Sequence, residues 1–281
     1  MSDTNIIPIL TPSQVQSFND DGVLHVKSAV SSDWVEYLLA FTDRQLEAPS
    51  QWVNDGAPGR RRDRMFTDRY LWQKNEEINR YVLESPCAQL AAQAMGSNSA
   101  RFYFDHLLVK EPETTAVTPW HQDIPYWPFL GKQVCSVWVA LTPATVAGSA
   151  MEFVRGSHLD GNYYQPEVFG DRKDHPNAAW TGKSEAVPVP DIDADRGRFD
   201  IVGWDVEPGD AIVFSSWILH GAGGNQSSNQ RRVAISTRWL GDDCVWHPHD
   251  GADPTVNPEE VSVQPGEYPA DDRLFPKVWP A

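Results

Sequence analysis

His121 and Asp123 stand two residues apart in the run Thr118-Pro119-Trp120-His121-Gln122-Asp123-Ile124. In an extended strand such a pair projects from one face. One imidazole and one carboxylate make two thirds of the 2-His-1-carboxylate set that holds Fe(II) and leaves positions open for a co-substrate and oxygen. The same pair also reads as a histidine hydrogen-bonded to a neighbouring aspartate. A third ligand is offered by His220, which follows the apolar, β-favouring run 211–219 and directly precedes Gly221-Ala222-Gly223-Gly224-Asn225. With period-2 alternation Ile212, Phe214, Ser216, Ile218 and His220 share one face. His220 is then either a ligand at the rim of a buried cavity or a polar strand end that meets solvent.

A further strand-like run, Gln230-Arg231-Arg232-Val233-Ala234-Ile235-Ser236-Thr237-Arg238-Trp239, carries arginines among apolar residues. Alternation points Arg232, Ala234, Ser236 and Arg238 one way, and Arg231, Val233, Ile235 and Thr237 the other. An arginine turned into a half-buried interior needs an anion, because an unpaired buried charge is costly. Its planar fork matches a carboxylate with two parallel N–H bonds. A structural Asp or Glu would serve, and so would the distal carboxylate of a dicarboxylic co-substrate such as 2-oxoglutarate.

The elements that must hold these residues read as helices first and strands later. Thr11-Pro12-Ser13-Gln14 gives an N-cap, a proline at the first helical position and a capping-box glutamine, with Gly22 as the stop. Ser32 is a cap for a second helix with Val35, Leu38, Leu39 and Phe41 on its apolar face, and Asn75 and Ser85-Pro86 start two more. From Arg101 onward, β-like runs at 102–109, 134–141, 150–154, 211–219 and 233–240 alternate with turns. The expected fold is mainly β with flanking helices: a double-stranded β-helix, a jelly-roll, cupin-like barrel. We expect one domain over 1–281, with a helical part at 11–96, a barrel core at 101–241 and a Pro-rich arm at 242–281. The polar stretch 159–200, with Tyr163, Tyr164, Phe169 and Trp180, is long enough to be a lid or a solvated excursion. His247 and His249 have ligand-like spacing but lie in a Pro- and Asp-rich segment.

Composition narrows the setting. The 281 residues are 41% hydrophobic, and no apolar run approaches the roughly 18 residues of a membrane span. The first residues lack the pattern of a signal peptide, and Cys87, Cys135 and Cys244 are too few and too scattered for a disulfide framework. The expected location is cytoplasmic, with no membrane partner. A formal charge of −16 disfavours nucleic acid as a partner, since phosphate repulsion would have to be overcome locally. Either a monomer or a homodimer is compatible with these features.

The ordered set His121-Gln122-Asp123, Ser136-Val137-Trp138, Gly156-Ser157-His158, Gly209-Asp210, His220-Gly221-Ala222-Gly223-Gly224-Asn225 and Arg232-Val233-Ala234-Ile235-Ser236 resembles the phytanoyl-CoA dioxygenase family of iron(II)/2-oxoglutarate oxygenases. The resemblance runs over about 8–242 and includes Leu10 to Val26. It implies Fe(II) on His121, Asp123 and His220, with 2-oxoglutarate and O2 as co-substrates. It also implies that Arg232 takes the distal carboxylate, or Arg231 if the loop after His220 shifts by one residue. Trp138 and Ser236 are implied beside the co-substrate, and Arg64 at a basic position that helps hold the keto acid. Arg155 stands where the family usually has proline, which alters only a turn. Tyr126, Trp127 and Gln122 are the candidate substrate contacts.

Related halogenases have a small residue at the position of Asp123, so the carboxylate favours hydroxylation. The implied reaction hydroxylates an aliphatic C–H and releases succinate and CO2. Strong acidity disfavours a CoA thioester as substrate, so the expected substrate is a small metabolite, for example a zwitterion such as an amino acid, betaine or aminophosphonate. An acyl-CoA or natural-product hydroxylase or desaturase of the same mechanism is the alternative within this chemistry. A non-catalytic metal- or ligand-binding barrel is the alternative outside it.

Overall fold

The computed structural model describes residues 10–166 and 186–280. Its first helix, α1 (Pro12–Asp21), is closed at both ends by local chemistry. The Thr11 hydroxyl accepts from Gln14 N–H, the Gln14 side chain accepts from Thr11 N–H, and Gly22 ends the helix at φ +80°. β1 (Val23–Val26) follows, then α2 (Ser32–Glu47). The cap of α2 is Ser31, whose side chain accepts from Trp34 N–H, so Ser32 is the first helical residue and not the cap. The stretch expected to be helical also contains β2 (Asn54–Asp55) and β3 (Met65–Arg69) before α3 (Glu76–Glu84) and α4 (Cys87–Met95).

The remaining strands are β4 (Ala100–Lys110), β5 (Thr118–His121), β6 (Phe129–Leu130), β7 (Val134–Ala140), β8 (Met151–Val154), β9 (Ile201–Gly203), β10 (Ala211–Ser215), β11 (His220–Ala222), β12 (Arg232–Leu240), β13 (Val245–Trp246) and β14 (Lys277–Trp279). An eight-stranded sheet has the order β1-β10-β7-β12-β4-β3-β2, with β14 also paired to β4. A four-stranded sheet has the order β5-β11-β8-β9, and β13 pairs with β6. The architecture is the expected jelly roll with helices on one side. One correction applies: the sheets are not closed into a barrel.

The larger sheet is buried on both faces. Val137, Val139, Val213, Val233, Ile235 and Trp239 join the helices in one core. Their strand neighbours Trp138, Ala140, Ile212, Phe214 and Ala234 join Met151 and Phe153 of the smaller sheet in another. Strands buried on both faces lose the hydrophobic-polar alternation of a solvated sheet, which is why β12 reads as apolar with polar intrusions.

The expected single strand over 211–219 is two. β10 ends at Ser215 in the larger sheet, and β11 begins at His220 in the smaller one. The corner between them is held by Leu219 N–H donating to Ser157 Oγ at 2.9 Å, and by Asp123 and Ile124 N–H both donating to Ser216 O at 3.0 Å. The Gly-rich run after His220 is a tight crossing. A Cβ on Gly224 would sit 2.3 Å from Thr114 O, a distance only glycine avoids.

Part of the expected lid, 167–185 with Phe169 and Trp180, lies outside the described residues. The arm from 242 onward wraps the chain's own body. β13 and β14 pair with β6 and β4, and Leu274 and Phe275 are buried in a core with Tyr103, Phe129 and Trp246.

Candidate active site

His121 is the last residue of β5 and lies opposite His220, the first residue of β11. Asp123 is two residues beyond, but it is not on the strand. Its backbone is in the right-handed helical region, at the entrance to a short 3-10 turn over Ile124–Tyr126. The same-face argument from strand alternation therefore does not account for the pairing; the turn brings the carboxylate round to the imidazoles. Asp123 Oδ1 lies 3.5 Å from His121 Nε2 and 3.8 Å from His220 Nε2. The three potential ligand atoms all fall within 4.8 Å of one another, and all three residues are buried. Among the described residues no other His, Cys, Asp or Glu cluster of three meets that condition, so His247 and His249 do not form a second one.

Both imidazoles are oriented alike. His121 Nδ1 lies 2.8 Å from Pro119 O, and His220 Nδ1 lies 3.0 Å from Ile218 O. A carbonyl only accepts, so Nδ1 carries the proton in each ring and Nε2 presents its lone pair. Burial, then the neighbouring His121, pushes His220 down to about 3, which keeps it neutral. Burial alone would raise Asp123, but the Arg238 guanidinium beside it holds it below the usual carboxylate range. Its second oxygen, Oδ2, accepts from Ser136 Oγ at 3.0 Å and lies 3.7 Å from Arg238 Nε. Two imidazoles that present Nε2 and one carboxylate are the donor chemistry that Fe(II) takes.

The triad opens into a cavity whose lining includes Trp138, Ser236 and Arg232. Arg232 is buried, and its guanidinium reaches only neutral oxygens: Leu108 O at 3.3 Å and Ser149 Oγ at 3.4 Å. No carboxylate among the described residues is within ion-pair distance of it, and its Nε and the Ser236 Oγ have no hydrogen-bond partner there. Burial lowers Arg232 to about 10, so it stays charged near neutrality. Lys110, its cross-strand partner, is pushed down to about 6 by burial and then by Arg232. One uncompensated cation at the end of a cavity is the physical requirement for binding one carboxylate, and the residues present fit 2-oxoglutarate there.

Tyr126 and Trp127 also line the cavity. Three sequence candidates do not. Arg231 faces the other way and pairs with Glu111 and Asp43, each at 2.9 Å. Arg64 is buried against Asp55, donating from Nε at 2.9 Å and from Nη2 at 2.6 Å, so its charge is already compensated. Gln122 is spent on backbone: its Nε2 donates to Trp217 O at 2.7 Å and its Oε1 accepts from Tyr164 N–H at 3.0 Å. It clamps the corner before β11 and has no place in the lining.

The reading from sequence missed Arg69, His106, Arg238 and Asp253, all of which line the cavity. For Arg238 the signal was present, because alternation from Arg232 puts it on the same face. His106 shares its β4 face with Leu108 by the same rule. Asp253 arrives on the C-terminal arm, and no local pattern announces it.

A buried, open-faced His-Asp-His set sharing a cavity with a guanidinium that has no carboxylate partner among the described residues, on a jelly roll, fits the class of iron(II)- and 2-oxoglutarate-dependent dioxygenases. The chain belongs to the phytanoyl-CoA dioxygenase family, whose model matches residues 18–233. It is 25% identical to the peroxisomal phytanoyl-CoA dioxygenase of Rattus norvegicus over 96% of this chain and 81% of that one. It is 23% identical to the multifunctional dioxygenase prhA of Penicillium brasilianum over 78% of this chain and 69% of that one. Among solved structures, the α-ketoglutarate-dependent carbocyclase SnoK from nogalamycin biosynthesis shares the fold with a TM-score of 0.71 at 23% identity, covering 96% of each chain. EctD from S. alaskensis, solved with 2-oxoglutarate and 5-hydroxyectoine, does so with a TM-score of 0.68 at 17% identity, covering 95% of this chain and 88% of that one. Among the described residues no helix is long and apolar enough to cross a membrane.

Proposed function

We propose that the protein uses O2 to hydroxylate an aliphatic C–H of a small free metabolite, one oxygen atom entering the substrate and the other the succinate that forms with CO2 from 2-oxoglutarate. The observation that carries this reading is the buried Arg232 guanidinium, which has no carboxylate partner among the described residues and lines the same cavity as His121, Asp123 and His220. In this reading His121, Asp123 and His220 hold iron(II), and Arg232 anchors the co-substrate's far carboxylate, with Trp138 and Ser236 as its neighbours. Iron(II) with 2-oxoglutarate supplies the oxidising chemistry. The chain's own residues orient the two reactants and exclude water: Tyr126, Trp127 and Phe104 make an apolar wall against the triad. A ligand-binding protein without turnover would have no use for an open coordination face beside a carboxylate anchor.

The test is anaerobic addition of Fe(II) and 2-oxoglutarate while watching for their visible charge-transfer band. The band is expected with the wild type and absent in His220→Ala. A wild type without it overturns the assignment. Under oxygen, candidate metabolites and acyl-CoA esters are then compared by the succinate they elicit. Stimulation by the esters alone would replace the free-metabolite reading.

A further inference from the structure

We propose that the substrate is a monoanion whose carboxylate is bound by Arg238, with His106 and Arg69 completing the subsite; this rests on the iron/2-oxoglutarate reading above. Arg238 is fully inside the protein, and register explains how it reaches the cavity. β12 and β4 pair in one register from Arg232↔Lys110 to Thr237↔Asp105, then shift by one residue by Trp239↔Phe102. Tyr103 and Phe104 of β4 therefore both oppose Arg238, a bulge of the kind that re-aims side chains beside active sites. On the other side Arg238 pairs with Ser136, whose hydroxyl holds Asp123.

The guanidinium is held but not satisfied. Its Cζ lies 5.1 Å from the Phe104 ring centre and 5.6 Å from that of Trp127. Among the described residues its only ion-pair contact is Asp123 at 3.7 Å, beyond hydrogen-bond range. Nε and Nη1 are buried without a hydrogen-bond partner among the described residues, and so is His106 Nε2, while Arg69 Nε lies 3.3 Å from Asp253 Oδ2. These residues all line the cavity, and Arg69, His106 and Ser236 follow one another across β3, β4 and β12 in a single row. Unsatisfied buried donors of this kind cost free energy unless a ligand takes them.

Charge points to the same class. The cavity is lined by three guanidinium groups, from Arg69, Arg232 and Arg238, and by two carboxylates, from Asp123 and Asp253. Asp253 sits 3.3 Å from Arg69. Iron(II) adds two positive charges and 2-oxoglutarate two negative ones, which leaves the loaded cavity with one positive charge. Once Asp123 serves the metal, Arg238 is the cation left without compensation. The aromatic faces that would otherwise attract a cationic substrate already carry this guanidinium, so a cation without an acid is disfavoured there. A planar carboxylate suits the arginine fork, with the neutral His106 able to donate a further bond.

The experiment compares hexanoate and benzoate with hexanamide and benzamide on the anaerobic protein loaded with Fe(II) and 2-oxoglutarate. Binding is read as a thermal shift and as a perturbation of the visible band. The acids are expected to bind saturably and the amides not, and Arg238→Met is expected to weaken the acids by at least about tenfold. Measured at saturating Fe(II), the same variant should keep its dissociation constant for 2-oxoglutarate within about threefold of wild type, with Arg238→Lys regaining part of the acid affinity. Amides that bind as well as the acids, or acids that do not bind, overturn the proposal. So does an Arg238→Met protein whose 2-oxoglutarate affinity falls with, or in place of, its acid affinity, since Arg238 would then serve the co-substrate. The acid–amide comparison needs no variant, so it stands if Arg238→Met fails to fold. Absence of the band in wild type would instead sink the iron reading.

Discussion

The Ser136 hydroxyl donates to Asp123 Oδ2 at 3.0 Å, and this leaves Oδ1 as the oxygen that faces both imidazoles. A residue in the middle of one sheet thus sets the rotation of a carboxylate on a turn that leads out of the other. Outer contacts of this kind orient metal ligands, and losing one typically costs about 10–100-fold in metal affinity. Ser136→Ala is expected to weaken Fe(II) binding by about tenfold or more, read by anaerobic metal titration. Unchanged affinity would mean that Arg238 alone suffices to orient Asp123.

The two adjacent arginines should separate cleanly. Arg232→Gln is expected to raise the 2-oxoglutarate dissociation constant by about a hundredfold, as a buried charge-assisted bidentate contact of roughly 3 kcal/mol is lost. Arg231→Gln should leave that constant unchanged but cost about 3 kcal/mol of stability, since it strands the buried carboxylate of Glu111, while the exposed pair with Asp43 adds little. Titrating the charge-transfer band gives the first quantity and urea unfolding the second. Reversed effects would return Arg231 to the site.

Gly224 has no room for a side chain, with Thr114 O 2.3 Å from where a Cβ would lie. Gly224→Ala is expected to lose about 3 kcal/mol by overpacking. The loss should appear as a lower midpoint of denaturation, together with weaker 2-oxoglutarate binding because the crossing leads into Arg232. A variant as stable as wild type would show that the crossing relaxes freely.

Gln122 was a candidate substrate contact, and its bonds to Trp217 O and Tyr164 N–H make it a clamp. Gln122→Leu is expected to lower stability by about 2 kcal/mol, because buried backbone groups lose their partners. Once a substrate is in hand, its KM should stay within about twofold of wild type; a raised KM without a stability change would restore the contact role.

Asp105 offers a pH test away from the metal ligands. Burial raises its pKa from 3.8 to about 6, opposed by the N–H bonds from Leu71 and Trp72. A carboxyl whose folded pKa is raised contributes stability that is fully present below the unfolded value and lost as pH rises through the folded one. Between pH 4 and 7.5 the stability advantage of wild type over Asp105→Asn should therefore shrink, by up to about 3 kcal/mol. Urea unfolding across that range provides the check, and a constant difference would contradict the raised pKa.

The sequence by itself determined the helix caps and one face of β12, because these rest on local rules, while the candidate ligands His121, Asp123 and His220 were legible through the ordered motifs that resemble the family. The capping box at Thr11 and Gln14, the stop at Gly22 and the alternation that puts Arg232 and Ser236 on one face of β12 need only neighbours along the chain. Alternation also held the clue to Arg238. What it could not supply were contacts between segments far apart in the chain. Arg64 and Arg232 look alike as buried arginines, and what tells a structural ion pair from an anion site is that Asp55 lies beside the first while no carboxylate among the described residues lies beside the second. The break between Ser215 and His220, the turn that carries Asp123 off its strand, the β4 bulge opposite Arg238 and the arrival of Asp253 on the C-terminal arm were decided by tertiary packing. Each depends on two sheets burying both faces of one of them, a constraint that acts across hundreds of residues and leaves no period in the sequence.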